Sequence, residues 1–187
     1  MIRMIKDEDC FTCWWWYNWY ITHSSSTFET EPVDQSVFMD RIHKVREKYP
    51  WIVLQEDDRL LGYAYLSQFH ERKAYDWTCD LSIYMNPDER GHGYGHKLMD
   101  AIIDLARKDG YMNCVSIITG GNTASEKLHE RCGFVKKAIF ENFGYKNGEW
   151  KDVSYYVLKL NEPVEKPEPP KNLDPFSVVK PHRVPIL

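Results

Sequence analysis

Three glycines at alternate positions, Gly91, Gly93 and Gly95, punctuate the stretch Asp88-Glu89-Arg90-Gly91-His92-Gly93-Tyr94-Gly95-His96-Lys97-Leu98. An apolar run, Leu81-Ser82-Ile83-Tyr84-Met85, precedes them, and Leu98, Ile102, Leu105 and Ala106 follow at three- and four-residue steps. The order is therefore strand, glycine-rich turn, helix. Glycine allows positive φ and close approach of a ligand to the backbone. The first helical turn has unpaired N–H groups, and its dipole favours anions. Together these features make a phosphate cradle, with an ordinary tight turn as the plain alternative. A Walker A loop would require Gly-Lys-Ser/Thr, whereas Gly95 is followed by His96-Lys97-Leu98. A dinucleotide fingerprint would require G-x-G-x-x-G, and the spacing here is G-x-G-x-G.

The elements that must carry this loop can be read in order. Ile2-Arg3-Met4-Ile5 forms a first strand, and Asp7 is placed to cap a helix. In that helix Cys10, Cys13, Trp14, Tyr17 and Ile21 share one face, and Trp15, Trp16, Trp19 and Tyr20 fill others. A helix apolar nearly all round is buried on more than one side. A polar loop, Ser24 to Pro32, leads to a second helix from Asp34 with a Val37, Phe38, Ile42, Val45 stripe. Trp51–Leu54 and Leu60–Leu66 pair as a hairpin around Glu56–Arg59. After the strand ending at Met85 come the glycine loop and its helix, which stops at Asp109-Gly110. The strand Cys114–Ile118 follows. A further helix opens at Gly120-Gly121-Asn122, turns Leu128 and Cys132 inward and ends at Gly133. Two closing strands flank Lys146-Asn147-Gly148. The pattern β-α-α-β-β-β-α-β-α-β-β predicts an α/β (α+β) domain with a mixed sheet of about seven strands and helices on both faces. A parallel pair should form around the glycine-loop helix, with ligand at the carboxyl ends of those strands.

The chain has 187 residues, 43% of them hydrophobic, with a net charge of −4. That suits one well-buried domain and argues against nucleic acid as a partner. No apolar run is long enough to cross a bilayer, and no signal-peptide core is visible, so a cytoplasmic protein is expected. Five cysteines at irregular spacing read as reduced thiols. The CxxC of Cys10 and Cys13 lacks a second pair of ligands nearby, so no metal is expected. The boundary falls at about residue 160, because seven of the ten prolines lie in the last 27 residues, 161–187. That extension is expected to lack regular structure.

Arg90, Gly93 and Gly95 fit the Arg/Gln-x-x-Gly-x-Gly pattern of the GNAT acetyltransferase superfamily, where it holds the acetyl-CoA pyrophosphate. Asn122 to Phe134 resembles the superfamily pattern of Asn-x-x-Ala, an ionisable residue, then Gly-Phe; the ionisable residue here is His129. Ser25–Pro32, Arg46–Trp51, Ala74–Thr78 and Phe143–Val153 narrow the likeness, and residues 1 to about 160 resemble the phosphinothricin N-acetyltransferase family in one register. The resemblance implies a GNAT fold with a splayed parallel strand pair. It also implies acetyl transfer from acetyl-CoA to the amine of a small amino-acid-like acceptor, of the phosphinothricin or methionine sulfoximine type, in a ternary complex. The cofactor would run along Ile83, Tyr84 and Met85, rest its pyrophosphate on backbone from Arg90 through Gly91, His92, Gly93, Tyr94 and Gly95 to His96, and meet Asn122. The catalytic pair would be Asp80, where the family has glutamate, and His129. Arg72 falls on a family arginine that binds the acceptor, and His70 stands where a lysine would be. Phe28 and Tyr75 match aromatic positions of the acceptor pocket. A homodimer is implied, and the aromatic first helix permits one.

The chemistry of these residues is consistent with such a role. An α-amine, with an ordinary pKa of about 7.7–8.0, must be neutral to attack a thioester. Asp80 would be a weak base at an ordinary pKa near ~3.9, and burial among Trp77, Cys79 and Leu81 would raise it. As a plain alternative, Asp80 accepts backbone hydrogen bonds. The shorter side chain makes a bridging water plausible. His129 titrates near neutrality and lies seven residues, nearly two turns, beyond Asn122 on the same helical face. Two other functions fit the same motifs: acetylation of a peptide or protein amine, and a non-catalytic acyl-CoA-binding module.

Overall fold

The computed structural model describes residues 1–89 and 91–171, so Arg90 and residues 172–187 lie outside the described residues. Seven strands form one sheet in the order β1-β2-β3-β4-β5-β7-β6. They are β1 (Ile2–Met4), β2 (Trp51–Glu56), β3 (Arg59–Gln68), β4 (Thr78–Met85), β5 (Asn113–Thr119), β6 (Val135–Lys146) and β7 (Glu149–Lys159). Four helices accompany them: α1 (Cys10–His23), α2 (Gln35–Arg46), α3 (Tyr94–Asp109) and α4 (Thr123–Arg131). Every neighbouring pair is antiparallel except β4 and β5, which α3 connects as a crossover.

Strand alternation sorts the sheet into two faces. Cys79 and Leu81 of β4 pack with Leu98, Met99, Ile102 and Ala106 of α3 in an aliphatic core. Tyr63 of β3 belongs to the second core, built with Cys13, Trp16, Tyr17 and Ile21 of α1 and Phe38 and Ile42 of α2; Tyr65 and Tyr84 pack against it. This second core is rich in rings: Tyr63 stacks on Tyr84 at 5.2 Å and on Trp51 at 5.5 Å. The apolar character of α1 is thus explained on both of its packed sides, while Phe11 and Trp15 remain exposed.

Two local expectations are corrected. Asp7 does not cap α1; its carboxylate accepts from Arg46 at 2.8 Å, and Asp9 instead accepts the Lys6 N–H at 2.7 Å and a forked pair from Arg3 at 2.6 and 2.8 Å. Val37 of α2 is exposed, so Phe38 and Ile42 carry that helix's burial. In α4 Leu128 and Cys132 do pack inward against the aliphatic core, and His129 is the residue buried most completely. The proline-rich extension has no regular structure as far as Lys171, yet it lies along the domain. Trp77 Nε1 donates to the Glu168 carbonyl at 2.8 Å, and Lys171 N–H donates to the Asp109 carbonyl at 2.8 Å. Among the described residues, no helix is long and apolar enough to cross a membrane.

Candidate active site

The β4–β5 ladder covers only Thr78–Asn113, Cys79–Cys114 and Asp80–Val115, although both strands continue beyond it. Past Asp80 the two strands part. The Ser116 hydroxyl, buried at the fork, donates to the Leu81 carbonyl at 3.1 Å and replaces the next ladder bond. The Met85 carbonyl accepts from the Tyr20 hydroxyl at 2.9 Å. Asp80 is therefore the last paired residue at the root of a cleft. It pairs with Ser67 on its other side, so its side chain shares the α1 face with Tyr65, Ser82 and Tyr84. Burial raises its pKa to about 7, partly opposed by a hydrogen bond from the Leu81 backbone.

The glycine loop lies at the far end of β4. Gly93 is the N-cap of α3 at φ 79°, and Gly91 has φ 90°. A Cβ at either would meet no atom within 4 Å, so it is the backbone conformation that demands glycine here. Gly95 differs: a Cβ there would lie 3.3 Å from Leu128 Cδ2, so its smallness lets α3 approach α4. His96 Nδ1 lies 2.9 Å from Asp100, and Lys97 Nζ sits over the Tyr94 ring at 5.6 Å.

Beyond the cleft, α4 begins at Asn122. Its Oδ1 accepts the Ser125 N–H at 3.2 Å, which makes it an N-cap, and its Nδ2 donates to Ser26 Oγ at 3.2 Å. Along the helix, His129 is 2% exposed and packs edge-on against Phe134 at 5.0 Å. Its Nδ1 lies 2.8 Å from the Ser125 carbonyl, which requires the proton on Nδ1. Nε2 then carries a lone pair and has no partner among the described residues. Burial lowers the His129 pKa, so the ring is held neutral. His129 also neighbours Tyr156, which belongs to the α3-side core, so it serves the face opposite Asp80.

The expected acceptor residues divide between two cavities. His70, Arg72 and Tyr75 line one of about 640 Å³ with Gln68, Phe69 and Glu71, all from the end of β3 and the segment after it. Phe28 lines another, of about 340 Å³, with Ser26, Thr27, Ile117, Thr119, Phe143, Val153 and Tyr155. Ile117 and Thr119 alternate with Val115, so this second cavity opens on the Asp80 face of the cleft. Its other walls went unassigned from sequence, although Ser25–Pro32 and Phe143–Val153 were both conspicuous. What delivers Phe143 is a register break in β6 between Phe140 and Gly144, with Asn142 at φ 49°. Such bulges re-aim side chains and leave no clear signal in a one-dimensional pattern.

The family model of the acetyltransferase (GNAT) domain matches residues 2–154. The chain belongs to the GNAT acetyltransferase family. Among its relatives, phosphinothricin N-acetyltransferase of Alcaligenes faecalis is 32% identical over 86% of this chain and 82% of its own. The L-amino acid N-acyltransferase MnaT of Escherichia coli is 31% identical over 88% of this chain and 96% of its own. The structure of a Salmonella typhimurium acetyltransferase with its cofactor acetyl-CoA superposes with a TM-score of 0.86 at 29% identity, covering 89% and 96% of the two chains.

As a GNAT protein the chain is an acetyl-CoA-dependent N-acetyltransferase. Its own features fit that cosubstrate. The cleft leaves the outer half of β4 without a β5 partner, and the positive-φ glycines leave open space above the start of α3. The unpartnered Nε2 of His129 lies on the α3 side of the same strands.

Proposed function

We propose that this GNAT acetyltransferase acetylates the amine of a small amino-acid-like acceptor, with Asp80 receiving the amine proton directly or through one water. The observation that carries this reading is a carboxylate whose pKa is raised to about 7, at the root of the cleft and on the face of the 340 Å³ cavity. An unperturbed aspartate would be too weak a base; one near neutrality accepts a proton efficiently at working pH. Acetyl-CoA supplies an acyl group activated as a thioester, which passes to the amine by direct attack in a ternary complex. The chain would hold it by the backbone of Ile83, Tyr84 and Met85, by the N–H groups from Gly91 to His96, and by the second N–H of Asn122. His129 faces the sulfur end with a lone pair on Nε2, so it first takes up a proton there from solvent and then passes it to the departing thiolate. Arg72 and His70 lie in the separate 640 Å³ cavity; there they serve acceptor capture or a partner subunit.

A cavity of this size supports a small acceptor over a peptide lying in an open groove. Relatives that act on phosphinothricin and on L-amino acids support the same class. Free cysteines, four of the five buried, suit a reducing cytoplasm. The 12-residue edge strand β6 exposes Val135, Ile139, Phe140, Phe143 and Tyr145, a long apolar edge of the kind covered by a second copy. A homodimer through β6 is expected to sediment at twice the chain mass and to dissociate in Ile139→Lys. The test of function is thiol release from acetyl-CoA with a panel of L-amino acids, their analogues and short peptides. Turnover confined to peptides overturns the small-acceptor reading.

A further inference from the structure

Lys146, at the end of β6, is the one buried lysine or arginine among the described residues, at 3% exposure. Its Nζ donates to the Thr27 carbonyl at 2.7 Å, and among the described residues it has no carboxylate partner. A buried ammonium with one neutral acceptor is unusual, since buried charges are normally paired. Burial accordingly lowers its pKa. The nearest acidic influence, Glu29, is itself tied to Arg41 at 2.6 Å.

Thr27 belongs to the segment Ser26-Thr27-Phe28, all three residues of which line the 340 Å³ cavity. Three elements hold that segment. Asn122 of α4 bonds Ser26, the Tyr17 hydroxyl of α1 lies 3.0 Å from Thr27 Oγ1, and Lys146 of β6 takes the Thr27 carbonyl. Phe28 then lies over Gly144, where a Cβ would stand 2.2 Å from its ring. No residue lining the cavity carries a formal charge, and the ammonium bonded to the Thr27 carbonyl is a positive charge directly behind its wall.

We infer that Lys146 is a specificity-determining residue: it fixes Ser26–Phe28 as the cavity wall and places behind that wall the charge that selects acceptors bearing a carboxylate. This rests on the small-acceptor reading above and goes beyond it by naming the group that reads the acid. Two of the three ammonium hydrogens have no partner among the described residues, so the charge is not neutralised where it stands and its field reaches an entering carboxylate through the wall. Because Lys146 acts through the wall, its signature is a change in selectivity between acceptors.

The experiment compares wild type, Lys146→Met and Lys146→Arg on the best L-amino acid of the panel and on its primary amide, which keeps the amine and loses the acid. Wild type is expected to prefer the acid. Lys146→Met should raise KM for the acid at least ~10-fold more than for the amide, with kcat changed much less, and Lys146→Arg should keep the preference. Equal losses on both acceptors would reduce Lys146 to a structural strut and overturn the inference. So would a wild type indifferent to the acid, an outcome that needs no folded variant. A wild type that acetylates neither compound fails the functional reading instead. Calorimetric binding of acid and amide to wild type and Lys146→Met then judges Lys146 alone.

Discussion

The two faces of β4 are built from different materials. Cys79 and Leu81 meet an aliphatic layer from α3, close to the glycine turn and His129. On the other face, Asp80 shares its side with Tyr65 and Tyr84, which pack against a layer of rings and hydroxyls, and with a cavity assembled from three distant segments. On the proposed reading, one face presents backbone to a long cosubstrate, and the other surrounds the proposed proton acceptor with low-dielectric walls. The strand pair parts between them, so a reacting centre can be reached from both sides without either face supplying everything. The difference predicts separable phenotypes: damage to one face should alter one substrate's behaviour and spare the other's.

The largest separation belongs to Asp80. Asp80→Asn keeps the shape and removes the proposed base, so kcat should fall by ~10²-fold or more. In wild type the rate should rise with pH through about 7 as the carboxylate ionises, and Asp80→Asn should lose that limb. Acetyl-CoA affinity, measured by calorimetry, should hold. A full-rate Asp80→Asn variant would falsify the division of labour itself.

His129 tests whether the opposite face takes part in the chemistry. His129→Phe preserves edge contacts to Phe134 and Tyr156 while removing Nε2. A thiolate is a modest base, with an ordinary thiol pKa of about 8.5, so its departure needs less help than the amine does. A fall in kcat of about 10-fold is expected, smaller than for Asp80. Stopped-flow measurement of thiol release separates this from slow product loss. No change would confine His129 to packing.

Gly93→Val addresses the cofactor face alone. A β-branched residue at φ 79° is strained by about 1–2 kcal/mol, so the turn should relax away from its cradle shape. Since 1.4 kcal/mol is tenfold in affinity, acetyl-CoA Kd should rise about 10-fold. KM for the acceptor should move little. If acceptor KM rises as much, the faces are coupled and the comparison fails.

The same contrast explains what was legible in the sequence. The cofactor face is made from one continuous stretch, β4, glycines and α3, and contiguity is what periodicity and motif reading detect. The order of all eleven main elements and the parallel pair followed from such local patterns. The proposed acceptor face is made where residues 26–28, 117–119 and 143–155 converge, and convergence is a property of the sheet order. Phe28 could be named only through family likeness, and Lys146 could not be told from any solvated lysine. Asn122 was read as a cofactor ligand, and the fold adds that it caps α4 and ties down Ser26, which only the folded partner reveals.

The last prediction is read in stability, not in rate, and probes how much the Asp80 face gives up to keep the proposed base. Asp80 has a folded pKa of about 7 against an ordinary 3.8, so the folded state binds its proton more tightly than the unfolded chain does. Between those values the folded protein carries the extra proton, and stability falls as pH rises through the window from about 4 to about 7. Asparagine has no charge to desolvate. The Tm of Asp80→Asn should therefore exceed that of wild type at pH 8 by up to about 10 °C, since about three pKa units correspond to ~4 kcal/mol and each kcal/mol moves Tm by about 2–4 °C in a domain of this size. At pH 4 the gap should close, because both side chains are neutral in the folded state. Scanning calorimetry at the two pH values decides it. A gap that persists at pH 4 would point to packing or hydrogen bonding as its cause, and the carboxylate would no longer need to be a strained one.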